Sequence, residues 1–353
     1  MSVALPPMQE GPAAWRGRDM AARPATWTIV LDERDVGELE AAAARLVVSA
    51  KVEMLADLDV AGFSLPRLGP RLVDLRRELV HGRGFVLVRG LRVERYSRLE
   101  VAAIFLGLGA HLGRTRSQNA KGHVLGHVFD LGLKSEDPNV RLYQTCQRQT
   151  FHTDSCDVVG LLCLRNAMRG GDSLLVSALT AFNVMRDRCP ELLERLLVPM
   201  PHDRRGEVPA GMKPYFDIPV YSWQDHELTV FYQRQYFDSA QRFTDARRLT
   251  EDDVRALDRF DEVTNDEDLT LCMRLEPGDM QFVHNHNMLH DRTAFENWPE
   301  PERKRHLLRL WLACPGARPL PTAFAPRYGS LEVGNRGGIE VPGHQRTVPL
   351  EPV

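Results

Sequence analysis

Phe151–Asp157 reads F-H-T-D-S-C-D and stands directly before an apolar run, Val158–Leu164. His152 and Asp154 are two positions apart, so on an extended strand both side chains leave the same face. An imidazole and a carboxylate opening into one space, joined by a histidine from elsewhere, form the ligand set of a non-haem Fe(II) oxygenase. An H-x-D pair alone is common by chance, so the rest of the chain must supply the third ligand and a reason for it.

Four histidines near the C-terminal end qualify as that ligand: His284, His286, His290 and His306. In an extended H-N-H-N-M-L-H, positions 284, 286 and 290 share a face, and parity does not choose among them. His290 is followed by Asp291-Arg292-Thr293, where a strand would leave the core, which favours it. Each of these histidines taken singly could equally be an ordinary core or surface imidazole. The sequence R-H-L-L-R-L-W-L adds weight, because Arg305 and Arg309 share one face of an otherwise apolar strand. A guanidinium buried in a sheet is costly unless it meets an anion in good geometry. A dicarboxylate cosubstrate would supply that anion through paired hydrogen bonds. The competing explanation is a structural ion pair with an acid such as Asp154 or Asp279.

The elements that would position these residues can be read in order. Met1–Thr26 holds four prolines and no periodicity, and reads as a flexible arm (residues 1–26). Helical spacing covers Asp35–Ala50, Leu72–Val80 and Ser97–Leu112, with a short buried strand at Phe85–Val88 closed by Gly90. From Val140 the pattern turns to strands: R-L-Y-Q-T-C-Q-R-Q-T-F-H-T-D, then D-V-V-G-L-L-C-L, a Gly170-Gly171 turn and S-L-L-V-S. Ala178–Leu197 reads as two helical pieces with Pro190 in the first turn of the second. Pro201–Pro219 reads as a loop, Thr229–Tyr236 as a strand and Asp252–Val263 as a helix. Leu269–Leu275, a tight turn at Glu276–Asp279, one strand through M-Q-F-V-H-N-H-N-M-L-H and R-H-L-L-R-L-W-L complete a core. The tail after Pro315 reads as irregular. Helices first and then many strands with short turns indicate an α+β chain, mainly β with helical decoration.

The chain has 353 residues, 43% of them hydrophobic and 26% charged, with a formal net charge of -3. That size allows residues 27–353 to form one domain. The charge gives no reason to expect nucleic acid, and no apolar run approaches the roughly 20 residues of a membrane span. The six cysteines form no C-x-x-C pair, which argues against a zinc or iron–sulfur site and for reduced thiols in a cytoplasmic protein. The expected partner is a small molecule. Self-association is left open, since no exposed apolar patch is readable from sequence.

Four blocks occur in order over roughly Gly84–Leu312: F-H-T-D, G-G-D-S, P-G-D-M-Q-F-V-H-N-H-N-M-L-H-D-R and R-H-L-L-R. Together they resemble the taurine dioxygenase (TauD/TfdA-like) family of Fe(II)- and 2-oxoglutarate-dependent oxygenases. The resemblance implies a double-stranded β-helix (jelly-roll) core, here about residues 84–314. It implies that His152, Asp154 and His290 ligate iron and that Arg305 binds the distal carboxylate of 2-oxoglutarate. Ser173 falls where the family usually has a threonine whose hydroxyl bonds that cosubstrate; serine keeps the hydroxyl and loses the methyl. Arg309 would face the substrate. Asp154 argues against halogenation, since halogenating relatives replace the carboxylate with a small residue.

The implied reaction is hydroxylation of an unactivated C–H with O2, releasing succinate and CO2. Alternatives are desaturation or cyclisation at the same site, or a cupin-like metal-binding barrel without catalysis. Candidate substrate contacts are Arg148, on the parity of His152 in a regular strand, Asn119 in the loop Ser117-Gln118-Asn119, Tyr232 and Arg234. Arg148 and Arg309 near one pocket would suit an acidic substrate.

Overall fold

The computed structural model describes residues 5–49, 52–133, 140–209, 211–340 and 343–352. Residues 1–4 of the expected arm and Ala50, at the end of the expected helix, lie outside them. Sixteen strands among the described residues are β1 (Thr28–Val30), β2 (Phe85–Arg89), β3 (Arg114–Thr115), β4 (Leu125–Phe129), β5 (Val158–Arg165), β6 (Arg169–Gly170), β7 (Ser173–Ser177) and β8 (Met200–Asp203), followed by β9 (Tyr215–Ile218), β10 (Tyr221–Gln224), β11 (Glu227–Val230), β12 (Thr270–Met273), β13 (Met280–His284), β14 (Met288–Arg292), β15 (Phe295–Glu296) and β16 (His306–Ala313). A seven-stranded mixed sheet runs β1-β2-β13-β5-β16-β3, with β4 also on β16, and a three-stranded sheet runs β12-β7-β14. The strands do not close into a barrel.

Alternation along β16 shows how the layers are set. Leu308, Leu310 and Leu312 pack with Val158, Leu162 and Phe282 against the helix Arg98–Leu112, whose side chains are buried almost throughout. Leu307 and Trp311 face the other way, into a core shared with Leu175, Val176, Leu271 and Leu289 of the smaller sheet. Arg309 lies between them on that inner face. The central strands are apolar on both faces because both faces are covered. The covering helix starts where the sequence says it should: Ser97 caps the Glu100 N–H and the Glu100 carboxylate returns to the Ser97 N–H.

Three segments depart from the expected pattern. H-N-H-N does not continue a strand: β13 ends at His284, residues 285–287 turn, and β14 begins at Met288 in the other sheet. Side-chain parity is therefore lost between His284 and His290. The stretch before His152 is not a regular strand either; it holds one 3-10 turn, Leu142–Gln144, and only isolated bridges at His152. The expected loop Pro201–Pro219 contains the β8–β9 hairpin, and the expected strand Thr229–Tyr236 is the end of β11 followed by the helix Arg234–Ala240. Proline and glycine content hid the hairpin, and the short helix has too few residues to show a period.

The arm is a further correction. From Leu5 onward it is packed down: Trp15 and Ala13 are buried, and their carbonyls accept hydrogen bonds from Thr180 Oγ1 (2.7 Å) and Ser177 Oγ (2.6 Å). The tail is tied in as well. Asp157, three residues after Asp154, accepts from His286 Nε2 (2.8 Å), Arg336 Nε (2.8 Å) and the Cys314 N–H (2.9 Å), all fully buried. Burial pushes the Asp157 carboxyl up, but the His286 and Arg336 contacts outweigh it and hold it below the ordinary carboxylate range. Removing one partner of a buried ion pair leaves an uncompensated charge, which costs about 3–5 kcal/mol. Asp157→Ala is accordingly expected to lose stability of that order in urea denaturation; a change below about 1 kcal/mol would show that the network carries little of the fold.

Candidate metal centre and active site

The F-H-T-D segment joins the smaller sheet as a single-residue bridge. The His152 N–H donates to the His290 carbonyl and the His290 N–H to the His152 carbonyl, both at 3.0 Å. Thr153 N–H bonds the Tyr232 carbonyl (2.9 Å) and Asp154 N–H bonds Asn285 Oδ1 (2.9 Å), so the segment is held from three sides. One potential ligand atom each from His152, Asp154 and His290 then lies within 4.8 Å of the others. His290 Nε2 is 3.7 Å from Asp154 Oδ2, and the two imidazole centroids are 4.1 Å apart.

The donors have the chemistry of a metal site. His152 Nδ1 is 2.9 Å from the Thr150 carbonyl, an acceptor only, so it carries the proton and leaves Nε2 as the lone-pair nitrogen, here 3.2 Å from the Gln149 amide nitrogen. That carbonyl is aimed by strain, since Thr150 has φ 60, a left-handed backbone unusual for a β-branched residue. Burial and the His152 ring push the His290 pKa down to about 3, so its imidazole is neutral. Burial raises the Asp154 carboxyl, but Arg309, His290, His152 and the Trp311 indole hold it below the usual range. Trp311 Nε1 donates to Asp154 Oδ2 at 2.9 Å, and Arg309 Nη1 is 3.7 Å from the same oxygen. Two imidazoles and one carboxylate, buried together, fit a 2-His-1-carboxylate Fe(II) site.

Two cavities meet at this point, and Gln149, His152 and Arg309 border both. The narrower one runs past Leu161, Leu275 and Leu307 to Ser173, Arg292 and Arg305. Arg305 is 4% exposed; its Nη2 donates to the Gly171 carbonyl (3.1 Å) and its Nη1 has no partner. Arg292 beside it has two unpartnered nitrogens, Nε and Nη1, and both guanidiniums flank the Phe295 ring. Burial pushes the Arg305 pKa down to about 10 and that of Arg292 to about 9. Such a pair is what a carboxylate would relieve. Gly171, with φ +76, permits the approach, since a Cβ there would lie 2.7 Å from Arg305 Nε. The apolar walls between iron and arginines suit the methylenes of 2-oxoglutarate.

The wider cavity opens to solvent and is lined mostly by polar and charged side chains. It is bordered by His152 and Asp154, by His202, Asp203 and Phe216 of the β8–β9 hairpin, and by Arg327.

The pattern of the taurine catabolism dioxygenase TauD, TfdA family matches residues 51–311. The chain belongs to this family. As a TauD/TfdA member it is a non-haem Fe(II)- and 2-oxoglutarate-dependent dioxygenase, with iron, 2-oxoglutarate and O2 as its cofactor and cosubstrates. It is 30% identical over 323 residues to FR-33289 synthase of Streptomyces rubellomurinus, covering 90% of this chain and 94% of that one. Among solved structures it resembles an asparagine oxygenase complexed with Fe(II), 3-hydroxyasparagine and succinate (TM-score 0.63, 18% identity, 81% of this chain and 93% of that one). It also resembles the oxygenase OrfP with Fe and alpha-ketoglutaric acid (TM-score 0.60, 16% identity, 81% and 93%). At those identities the likeness is one of fold. No helix among the described residues is long and apolar enough to cross a membrane, and all six cysteines are free thiols.

Within this TauD/TfdA frame the structure sorts the sequence candidates. The ion-pair alternative divides: Arg309 approaches Asp154 at 3.7 Å, whereas Arg305 forms no ion pair among the described residues, Asp279 being gripped by Arg89 through Nε (2.8 Å) and Nη2 (2.6 Å). Ser173 reaches the narrow cavity, donating to Gln281 Oε1 at 2.8 Å. His284, His286 and His306 are elsewhere; His286 bonds Asp157, and His306 bonds His127 (2.7 Å). Arg148 is a correction. It is paired with Asp291 (2.8 Å from Nε) and bonded to Asn265 outside both cavities, because the irregular backbone at 145–151 breaks its parity with His152. Asn119 is also corrected: it closes its own turn onto Lys121 and His123, away from the wider cavity. Its neighbour Gln118 is the productive residue of that loop, accepting from Arg309 Nε at 2.7 Å. Tyr232 and Arg234 are bound to Asp261 in the framework.

Three site residues were missed. Arg292 shares strand parity with His290, and Trp311 shares it with Arg309, so spacing alone held that signal; Arg327 lies in the tail and had none. Because Trp311 fixes the ligand oxygen of Asp154, Trp311→Phe is expected to weaken Fe(II) binding about 10–100-fold, with secondary structure unchanged. Equilibrium metal titration of the two proteins checks this; equal affinities would remove Trp311 from the site.

Proposed function

We propose that this protein hydroxylates an unactivated C–H of a small organic acid, as a single cytoplasmic domain built on a double-stranded β-helix. His152, Asp154 and His290 hold the iron, Arg305 and Ser173 take the distal carboxylate of 2-oxoglutarate, and Arg292 adds charge at that end. Bound together, iron, 2-oxoglutarate and O2 supply the oxidising power for the C–H, with succinate and CO2 released. The chain's own work is placement. Trp311 and Arg309 keep Asp154 ionised and aimed, Gln118 holds Arg309 at the boundary of the two cavities, and the buried walls exclude water. The observation that carries the reading is the orphaned guanidinium of Arg305, buried without an acid at the far end of a cavity that begins at the triad. A cupin-like barrel that only binds metal has no use for it.

Anaerobic titration with Fe(II) and 2-oxoglutarate is expected to develop the weak visible charge-transfer band of the chelate. Arg305→Ala should weaken 2-oxoglutarate by about 2–5 kcal/mol, roughly 30-fold or more, while His152→Ala abolishes the band. A folded protein without the band, or an Arg305→Ala variant with unchanged affinity, would refute the reading. Succinate release across a panel of acids, with product masses, then distinguishes gain of one oxygen from loss of two hydrogens.

A further inference from the structure

The wider cavity carries more positive charge than its contents explain. Arg141 is neutralised there by Glu207 and bonds the Tyr236 hydroxyl (2.8 Å). The guanidiniums of Arg204, Arg205 and Arg327 form no ion pair with an acid within 4 Å among the described residues. Arg204 is 4% exposed and bonded only to the carbonyls of Lys213 (3.0 Å) and Pro326 (2.6 Å). Arg205 reaches the Val140 carbonyl through Nη2 (3.0 Å), and its buried Nε has no partner. Its backbone is strained at φ 53, with its N–H bonded to Asp203 Oδ1 (2.8 Å). Arg327, from the short helix Ala325–Tyr328, donates Nε to Ser155 Oγ (2.7 Å), next to the iron ligand Asp154. His202 completes the group. It is 1% exposed, boxed in by Phe216, Phe231, Tyr236 and Phe237, and its Nδ1 has no partner.

We infer that Arg204, Arg205 and Arg327, with His202, form a subsite for a doubly charged tetrahedral oxyanion, the phosphonate or phosphate-ester group of the substrate. The inference rests on the reading of this cavity as the substrate room. Arg204 and Arg205 come from the β8–β9 hairpin and Arg327 from a separate helix, and all three line the one cavity. A planar monocarboxylate is satisfied by one bidentate arginine, whereas three peripheral oxygens and two charges use all three. Arg305 lines the narrower cavity and none of these three arginines does, so the subsite is separate from the cosubstrate end. It also places the acid-binding role on Arg205 and Arg327, not on Arg148. An oxyanion anchored there would leave the rest of a small molecule extending toward His152 and Asp154.

The test is calorimetric titration of the anaerobic protein loaded with Fe(II) and 2-oxoglutarate, using methylphosphonate, inorganic phosphate, methanesulfonate and acetate as probes. Methylphosphonate and phosphate are expected to bind at least tenfold more tightly than methanesulfonate or acetate. Arg327→Gln and Arg205→Gln should each weaken methylphosphonate at least tenfold while leaving 2-oxoglutarate affinity unchanged, and Arg327→Lys should recover part of the loss. Absent methylphosphonate binding, equal binding of acetate, or wild-type affinity in both glutamine variants would overturn the subsite. If Arg327→Gln also loses 2-oxoglutarate, its fold is disturbed and Arg205→Gln decides. If the wild-type protein binds neither Fe(II) nor 2-oxoglutarate, it is the oxygenase reading that fails, and the same titrations on metal-free protein still judge the oxyanion subsite.

Discussion

Two reciprocal backbone hydrogen bonds between His152 and His290 hold the centre together, each 3.0 Å long. They join segments 138 positions apart (290 − 152), one irregular and one in the smaller sheet, and put both imidazoles into the same space. A backbone pair of this kind fixes both residues at once. The side chains cannot drift independently, and Asp154 follows two positions later under the indole of Trp311. Everything else in the site takes its position from this bridge. The strained Thr150 carbonyl sets the tautomer of His152, and the turn at 285–287 both delivers β14 and lends Asn285 to the Asp154 N–H.

Charge is distributed around the bridge in a consistent way. Structural arginines are paired: Arg89 with Asp279, Arg148 with Asp291 and Arg336 with Asp157. Those facing the two cavities divide: Arg141 pairs with Glu207 and Arg309 approaches Asp154, whereas Arg204, Arg205, Arg292, Arg305 and Arg327 form no side-chain ion pair among the described residues. A buried guanidinium in that state is destabilising to the apo protein, and its persistence on both sides of the triad is best understood as binding capacity held ready for anions. The arrangement is a local trade of stability for recognition, set within a buried core of two packed sheets and a helix layer.

The departures from the sequence reading share one origin. Parity arguments assume regular strands, and they held where strands are regular: β16 does place Leu307, Arg309 and Trp311 on one face. They failed where the backbone bends. Arg148 precedes His152 through a 3-10 turn and an irregular stretch, so the even spacing had no geometric meaning. H-N-H-N hides a sheet crossover inside residues that read as continuous strand. The hairpin at 200–218 and the tail from Pro315 carry prolines and glycines that read as loop, yet they bring His202, Arg205 and Arg327 to the wider cavity.

The sequence by itself determined the family and marked His152, Asp154 and Arg305 as candidates for the metal and cosubstrate ends. Those roles depend on residue types in short, ordered blocks, and the blocks survive translation into any regular strand. Only the tertiary structure decided which of four histidines joins the triad. It also showed that Arg305 has no acid partner, that Arg292 stands beside it, and which side chains line the substrate room. The physical reason is distance along the chain. Contacts within a few residues are written in local spacing, whereas a pairing such as Ser155 with Arg327 closes a loop of 172 residues, and no local pattern records which groups meet when such a loop is packed.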